Sequence, residues 1–198
     1  RRNEELALLN QIVRHDIKND LTVILGWGDA LRDYVEPAGR EHLDRIMNAG
    51  DHIAGIAETA GDFMEILEGD REPELHSIGL GPVLRSEIEK TRSAHAAATI
   101  TLSDDIPAGL TVSATDLLSS VFRNLLNNAV THNDKSDPAI TVEIETGPDM
   151  VDVHIIDNGP GIPDSQQAEI FGRGETGSKS QGSGIGLYLV DTLVGMYD

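Results

Sequence analysis

The stretch Gln181-Gly182-Ser183-Gly184-Ile185-Gly186-Leu187-Tyr188-Leu189-Val190 sets glycines at every second position and runs straight into an apolar helical pattern. Glycine lets the backbone come within hydrogen-bonding distance of phosphate oxygens, and a helix starting there offers unpaired N–H groups and a positive dipole end. Alone, a Gly-Ser-Gly string reads equally as a flexible turn. Two further elements precede it in the chain: Asn124-Leu125-Leu126-Asn127-Asn128-Ala129 and Asp157-Asn158-Gly159-Pro160-Gly161-Ile162. Three partial signals in a fixed order specify far more than any one of them.

On a helix, Asn124 and Asn128 are four residues apart and share a face. Mg²⁺ takes oxygen ligands, keeps several waters and is usually shared with substrate phosphates, so one amide oxygen suits the protein's share of such a site. A solvated or capping asparagine is the competing reading. It weakens where Asn127 and Asn128 stand amid Leu125, Leu126 and Ala129, because unsatisfied amides there are costly. Asp157 ends a strand and precedes a glycine turn. Its carboxylate can accept a hydrogen bond from the exocyclic amine of adenine, with Gly159 and Gly161 leaving room for the ring. The competing reading is an Asx-turn at the strand exit.

The 198 residues suffice for one large or two small domains with real cores. The chain opens on Arg1-Arg2 without an initiator methionine, which reads as a piece of a longer protein, with no signal peptide and no apolar run of membrane-spanning length. A cytoplasmic segment without membrane contact is expected. The absence of cysteine excludes disulfides and thiolate zinc sites. With 34 acidic against 15 basic side chains, the formal charge of −19 argues against broad binding to nucleic acid. Only Lys18, Lys90, Lys135 and Lys179 are lysines. An acidic, lysine-poor surface suits concentrated salt, where the screening length shrinks to about 3 Å at 1 M, so a halophilic source is expected.

Two helices are expected in the first third. Leu6, Leu9, Val13, Ile17, Leu21 and Ile24 form an apolar stripe on the first. On the second, Leu43, Ile46, Gly50, Ile53, Ala57, Ala60, Met64 and Leu67 alternate spacings of three and four, the seam of a helical bundle. Glu36-Pro37-Ala38-Gly39 turns the chain between them. One hairpin cannot bury both stripes, whereas two copies can, so residues 1–70 are expected to be an all-α helical hairpin that forms a dimeric four-helix bundle. Gly69-Asp70-Arg71-Glu72-Pro73 reads as a linker. Beyond it the pattern turns to mixed α/β over 71–198: a helix over 83–94, strands over 99–102 and 110–112, a helix over 115–130, and paired strands over 139–146 and 150–156 joined by Gly147-Pro148-Asp149. The polar, glycine-rich span 158–183 is long enough to be a lid or a binding loop.

Together the three nucleotide elements resemble the GHKL superfamily, the Bergerat ATP-binding fold of sensor histidine kinases, gyrase, MutL-type ATPases and heat-shock chaperones. The resemblance covers roughly residues 75–198. It implies an α/β two-layer sandwich binding ATP and Mg²⁺, with Asn128 as the Mg²⁺ ligand and Asn124 its companion. It further implies His132 near the phosphates, Asp157 on adenine beside Gly159 and Gly161, and Gly182, Gly184, Gly186 and Leu187 in the phosphate-proximal turn. Phe171 resembles the lid phenylalanine, and Arg173 stands where it can reach phosphate. Thr131 stands where many kinases carry a phosphate-contacting lysine. The family usually continues past the last helix into another strand, so a sheet strand is expected to be missing or to lie beyond Asp198.

His15-Asp16-Ile17-Lys18-Asn19 resembles the phosphoacceptor box of sensor histidine kinases, His-(Glu/Asp)-x-x-(Asn/Thr). His15 and Asn19 share a helical face, while Val13, Ile17 and Leu21 supply the buried stripe, so His15 is expected to be exposed. A neutral imidazole nitrogen must attack the γ-phosphorus in line, and histidine's ordinary pKa of about 6.5 makes that form available near neutrality. Asp16 is the carboxylate able to fix the tautomer through the other ring nitrogen, although neighbours at i and i+1 do not face each other directly on a helix. The resemblance implies transfer onward to an aspartate of a response-regulator receiver domain, a water-orienting role for Asn19 in the reverse phosphatase reaction, and a sensor domain upstream. Asp20 replaces the proline of many members, so the kink it provides is not assured. A GHKL-type ATPase, or a nucleotide-binding scaffold without catalysis, are the rival readings.

Overall fold

The computed structural model describes residues 2–68, 74–103, 106–167, 170–171 and 186–197, with the side chains of 2–14, 48, 51–52 and 63–68 excepted. The chain divides into two compact units, Arg1–Arg71 and Glu72–Asp198.

The first unit consists of α1 (Arg2–Leu31) and α2 (Pro37–Glu68), packed on each other across a short turn. Helix α1 runs unbroken through Asp20. Pro37 opens α2, where a first-turn residue needs no N–H partner. Leu21 and Leu43 are buried between the helices. Gly50 permits the close approach: a Cβ there would stand 2.8 Å from the Leu25 Cδ2. The expected seam of α2 divides in two. Leu43 and Gly50 are covered by α1, whereas Ile46 and Ile53 are exposed at 56% and 46%. On α1, Ile24, Trp27 and Leu31 are likewise exposed. Within the single chain only one side of the seam is covered. The side chains of Leu6, Leu9, Val13, Met64 and Leu67 lie outside the description.

The second unit contains β1 (His76–Gly79), α3 (Leu80–Ala94), β2 (Thr99–Leu102), β3 (Thr111–Ala114), α4 (Leu118–Thr131), β4 (Ala139–Thr146), β5 (Val151–Asp157), the single turn α5 (Asp164–Gln167) and α6 (Gly186–Tyr197). Strand β4 sits centrally, parallel to β2 and antiparallel to β5, while β1 and β3 form a separate antiparallel pair. The alternation of β4 buries Ile140, Val142 and Ile144 against Leu80, Leu84 and Ile88 of α3 and Leu118, Phe122 and Leu126 of α4. The β4–β5 turn closes where the Gly147 N–H donates to the Met150 carbonyl at 2.8 Å. Strand β1, unexpected from the sequence, has Ile78 as its one large apolar residue and takes its regularity from β3.

Helix α6 is held at its far end by Tyr197, whose hydroxyl pairs with the Thr115 Oγ1 at 2.9 Å. Burial pushes the Tyr197 phenol above its ordinary value, with the bonds from Thr115 opposing. A raised folded-state value means that folding favours the protonated ring. That contribution is complete below about pH 10, the ordinary tyrosine value, and is lost as pH rises toward the folded-state value. Thermal unfolding at rising alkaline pH should therefore show a falling midpoint above about pH 10, and Tyr197→Phe should flatten that fall. An unchanged slope in the variant would contradict it.

Candidate functional site

Helix α4 organises the candidate site of the second unit. Because Leu118, Phe122 and Leu126 face the core, Asn124 and Asn128 fall on a half-buried flank. The Asn124 Nδ2 donates to the Ser120 carbonyl at 2.8 Å, anchoring the amide. Its Oδ1 is directed at the first residue of α6, where a Cβ on Gly186 would stand only 2.7 Å away. Glycine thus lets the first turn of α6, continuing with half-buried Leu187, close on α4. The side-chain amide of Asn128 has no hydrogen-bond partner among the described residues. Together with the Oδ1 of Asn124 and the amide of Asn127, which likewise have no partner among the described residues, it is available to a ligand. His132 is exposed at the end of α4, and its backbone N–H caps the Asn128 carbonyl at 3.0 Å.

Asp157 ends β5 and does what the competing reading expected: its Oδ1 accepts the Gly159 N–H at 2.8 Å. The same bond leaves Oδ2 without a partner among the described residues and fixes the carboxylate's orientation. A Cβ at Gly159 would stand 2.7 Å from that Oδ1 and 3.4 Å from the Asn133 side chain. Gly161, at φ +72°, adopts the left-handed backbone that glycine tolerates.

Two residues that the sequence reading passed over hold this loop against α4. The Asn133 Nδ2 donates to the Asn158 Oδ1 at 2.9 Å, and the same oxygen accepts the Ala139 N–H at 3.0 Å. The Asn158 N–H donates in turn to the Ala139 carbonyl at 3.1 Å. The end of α4, the start of β4 and the exit of β5 are thereby tied together. The one available signal was adjacency, since Asn133 follows His132 and Asn158 follows Asp157.

The structure therefore brings Asn124 and Gly186 together at the α4–α6 contact, with Asn128 one helical turn further along α4, and puts Asp157 and Gly159 at the far end of α4. Phe171 is exposed at 41%. Arg173, Gly182 and Gly184 lie outside the described residues. Small residues where any side chain would collide, unpartnered amide oxygens on α4 and one oriented carboxylate oxygen suit an adenine nucleotide. Among the described residues no three His, Asp or Glu side chains cluster.

In the first unit, His15 is exposed on α1. Its Nδ1 lies 3.4 Å from the Asp16 Oδ1 and 3.2 Å from the Asn19 Nδ2. Asp16 thus reaches the ring despite its adjacent position. Nε2 has no partner among the described residues.

Residues 113–198 match the family described as Histidine kinase-, DNA gyrase B-, and HSP90-like ATPase. The chain is 26% identical over 201 residues to the Sensory histidine kinase/phosphatase NtrB of Rhodobacter capsulatus, aligning 93% of this chain with 54% of that protein. It is 26% identical over 204 residues to the Sensor protein KdpD of Escherichia coli, aligning 99% of this chain with 22% of that one. The chain thus spans about half or less of the length of these relatives. Among solved structures, full-length ShkA in complex with AMPPNP superposes at a TM-score of 0.59 with 21% identity, covering 95% of this chain and 40% of that one. The mycobacterial sensor histidine kinase MprB superposes at 0.54 with 22% identity, covering 60% and 79%. The second unit has the α/β fold of these structures, and residues 113–198 within it carry the ATPase-family match. Among the described residues no helix is long and apolar enough to cross a membrane.

Proposed function

We propose, on the premise that residues 113–198 match the histidine kinase-, DNA gyrase B- and HSP90-like ATPase family, that the chain is the catalytic core of a dimeric sensor histidine kinase. It takes ATP as phosphoryl donor, phosphorylates His15 and passes the group to an aspartate of a response-regulator receiver domain. The observation that carries this reading is His15 itself, exposed, with Nε2 unengaged among the described residues and Nδ1 contacted by Asp16 and Asn19, in a chain that also carries the ATPase-family match. An ATPase clamp or a scaffold has no use for that arrangement.

Asp157 would accept the adenine amine through Oδ2, with Gly159 keeping the ring's space open. Asn128 would hold Mg²⁺ through its amide oxygen, and the ion supplies neutralisation of phosphate charge. The backbone at Gly186 would lie beside the phosphates at the start of α6. When the Nε2 lone pair of His15 bonds to the γ-phosphorus, the bond to the bridging oxygen breaks and its electrons leave with ADP. The Asp16 carboxylate stabilises the ring cation that forms. Protein added to Mg-ATP and then to a receiver domain should first gain and then lose an alkali-stable, acid-labile phosphoryl group. Steady phosphate release without a phosphoprotein would favour the ATPase reading instead.

The exposed residues Ile24, Trp27, Leu31, Ile46 and Ile53 support a homodimer, because a second copy would bury them in a four-helix bundle. An excess of 19 negative charges supports adaptation to salt. Self-repulsion acts over about 30 Å at 0.01 M salt but about 3 Å at 1 M. The thermal midpoint should rise by several degrees from dilute buffer to molar potassium chloride, and a flat or falling midpoint would contradict this.

A further inference from the structure

Two side chains of α1 compete for one ring nitrogen. The Asp16 Oδ1 stands 3.4 Å from the His15 Nδ1, and the Asn19 Nδ2 stands 3.2 Å from the same atom. A neutral imidazole nitrogen carries either a proton or an available lone pair. Asp16 is only an acceptor when ionised, so its contact requires Nδ1–H. The Asn19 nitrogen is only a donor, so its contact requires the lone pair on Nδ1. The two bonds select opposite tautomers. With Nδ1 protonated, Nε2 holds the lone pair. With Nδ1 accepting from Asn19, Nε2 is protonated.

We propose that Asn19 is a positioning residue whose amide holds His15 in the tautomer unable to attack through Nε2, in competition with Asp16. This rests on the kinase reading, in which the Nε2 lone pair forms the N–P bond, the phosphorus–bridging-oxygen bond breaks and ADP leaves with its electrons. The Nδ1 proton stays on the resulting ring cation, facing Asp16. Only the Asp16-paired tautomer completes this step. The two side chains are placed for the competition by the backbone. Asn19 sits one helical turn from His15, on the same face, while Asp16 adjoins it. Turning the Asn19 amide over would present its oxygen to Nδ1–H and release the block, so the orientation of one amide governs the nucleophile. An exposed hydrogen bond of ordinary strength shifts such a ratio roughly two- to tenfold.

The test uses the whole chain with ¹⁵N in its histidine rings, the His15 signals being those lost in His15→Gln. In neutral rings, the Nδ1 and Nε2 shifts report the tautomer directly. Asn19→Ala should move His15 toward Nδ1–H and raise the initial rate of autophosphorylation about two- to tenfold. Asn19→Asp, which replaces the donor by an acceptor, should move the tautomer further the same way, and Asp16→Asn should move it oppositely. A tautomer ratio unchanged in Asn19→Ala and Asn19→Asp, or shifted toward Nε2–H, would overturn the proposal. A shift as expected in protein that Mg-ATP never labels would uphold the competition and sink the kinase reading, so the two failures are distinguishable.

Discussion

Exchanging Asp157 for asparagine should weaken ATP binding by about ten- to a hundredfold, the worth of one hydrogen bond to a charged group. The Gly159 N–H decides the sign. It donates to the Oδ1 of Asp157 at 2.8 Å, so in the variant the amide oxygen must stay facing that N–H to keep the turn. The amide nitrogen then occupies the place of Oδ2 and points a donor at the donating amine of adenine. A guanine nucleotide, which offers a carbonyl oxygen at the same ring position, should lose less. Titration calorimetry with ATP and GTP at constant Mg²⁺ separates the outcomes. Equal losses for both nucleotides would place the effect in the loop, and an unchanged ATP affinity would remove Asp157 from the site. The variant should keep its thermal midpoint close to that of the parent, because Asp157 is exposed and its turn survives.

Replacing His15 by glutamine should abolish phosphoryl transfer to the protein while leaving ATP affinity within about twofold of the parent, since the ATP-binding signals lie in the other unit. Glutamine keeps the helix, having a high helix propensity. It presents no ring nitrogen able to hold a phosphoryl group. The expected loss is therefore complete rather than graded, unlike that at Asp157. Labelling from γ-labelled ATP in molar potassium chloride measures it, and residual labelling of the variant would move the acceptor to another side chain.

The parts of this molecule that could be read in its sequence are those in which local pattern and tertiary environment agree. Alternation in Ala139–Thr146 gave β4 because one face of that strand meets the core. The helix carrying Asn124 and Asn128, expected over 115–130, is found at Leu118–Thr131, with Leu118, Phe122 and Leu126 meeting the core at spacings of four. Strand β1 was not legible, since His76–Gly79 owes its regularity to β3, far along the chain, with Ile78 opposite Val112 and Gly79 opposite Thr111. The bridge from Asn133 to Asn158 was invisible for the same reason: two loop asparagines look solvated until the fold brings them within 2.9 Å. At Asp157 the structure shows the Asx-turn, closed through Oδ1, while contact with adenine remains an expectation from the resemblance. The α2 seam was correctly apolar, but a single chain covers only the Leu43 and Gly50 side of it. The glycines at 182 and 184 and Arg173 remain expectations from the resemblance.

The central claim, that the imidazole at position 15 receives the terminal phosphoryl of ATP, is tested most directly by locating the modified residue. Protein incubated with Mg-ATP in molar potassium chloride would be digested at alkaline pH and its peptides sequenced by mass spectrometry. The account predicts a single phosphorylated peptide, carrying the group on His15. A phosphoryl group on any other residue, or ATP consumed with no modified peptide at all, would contradict it.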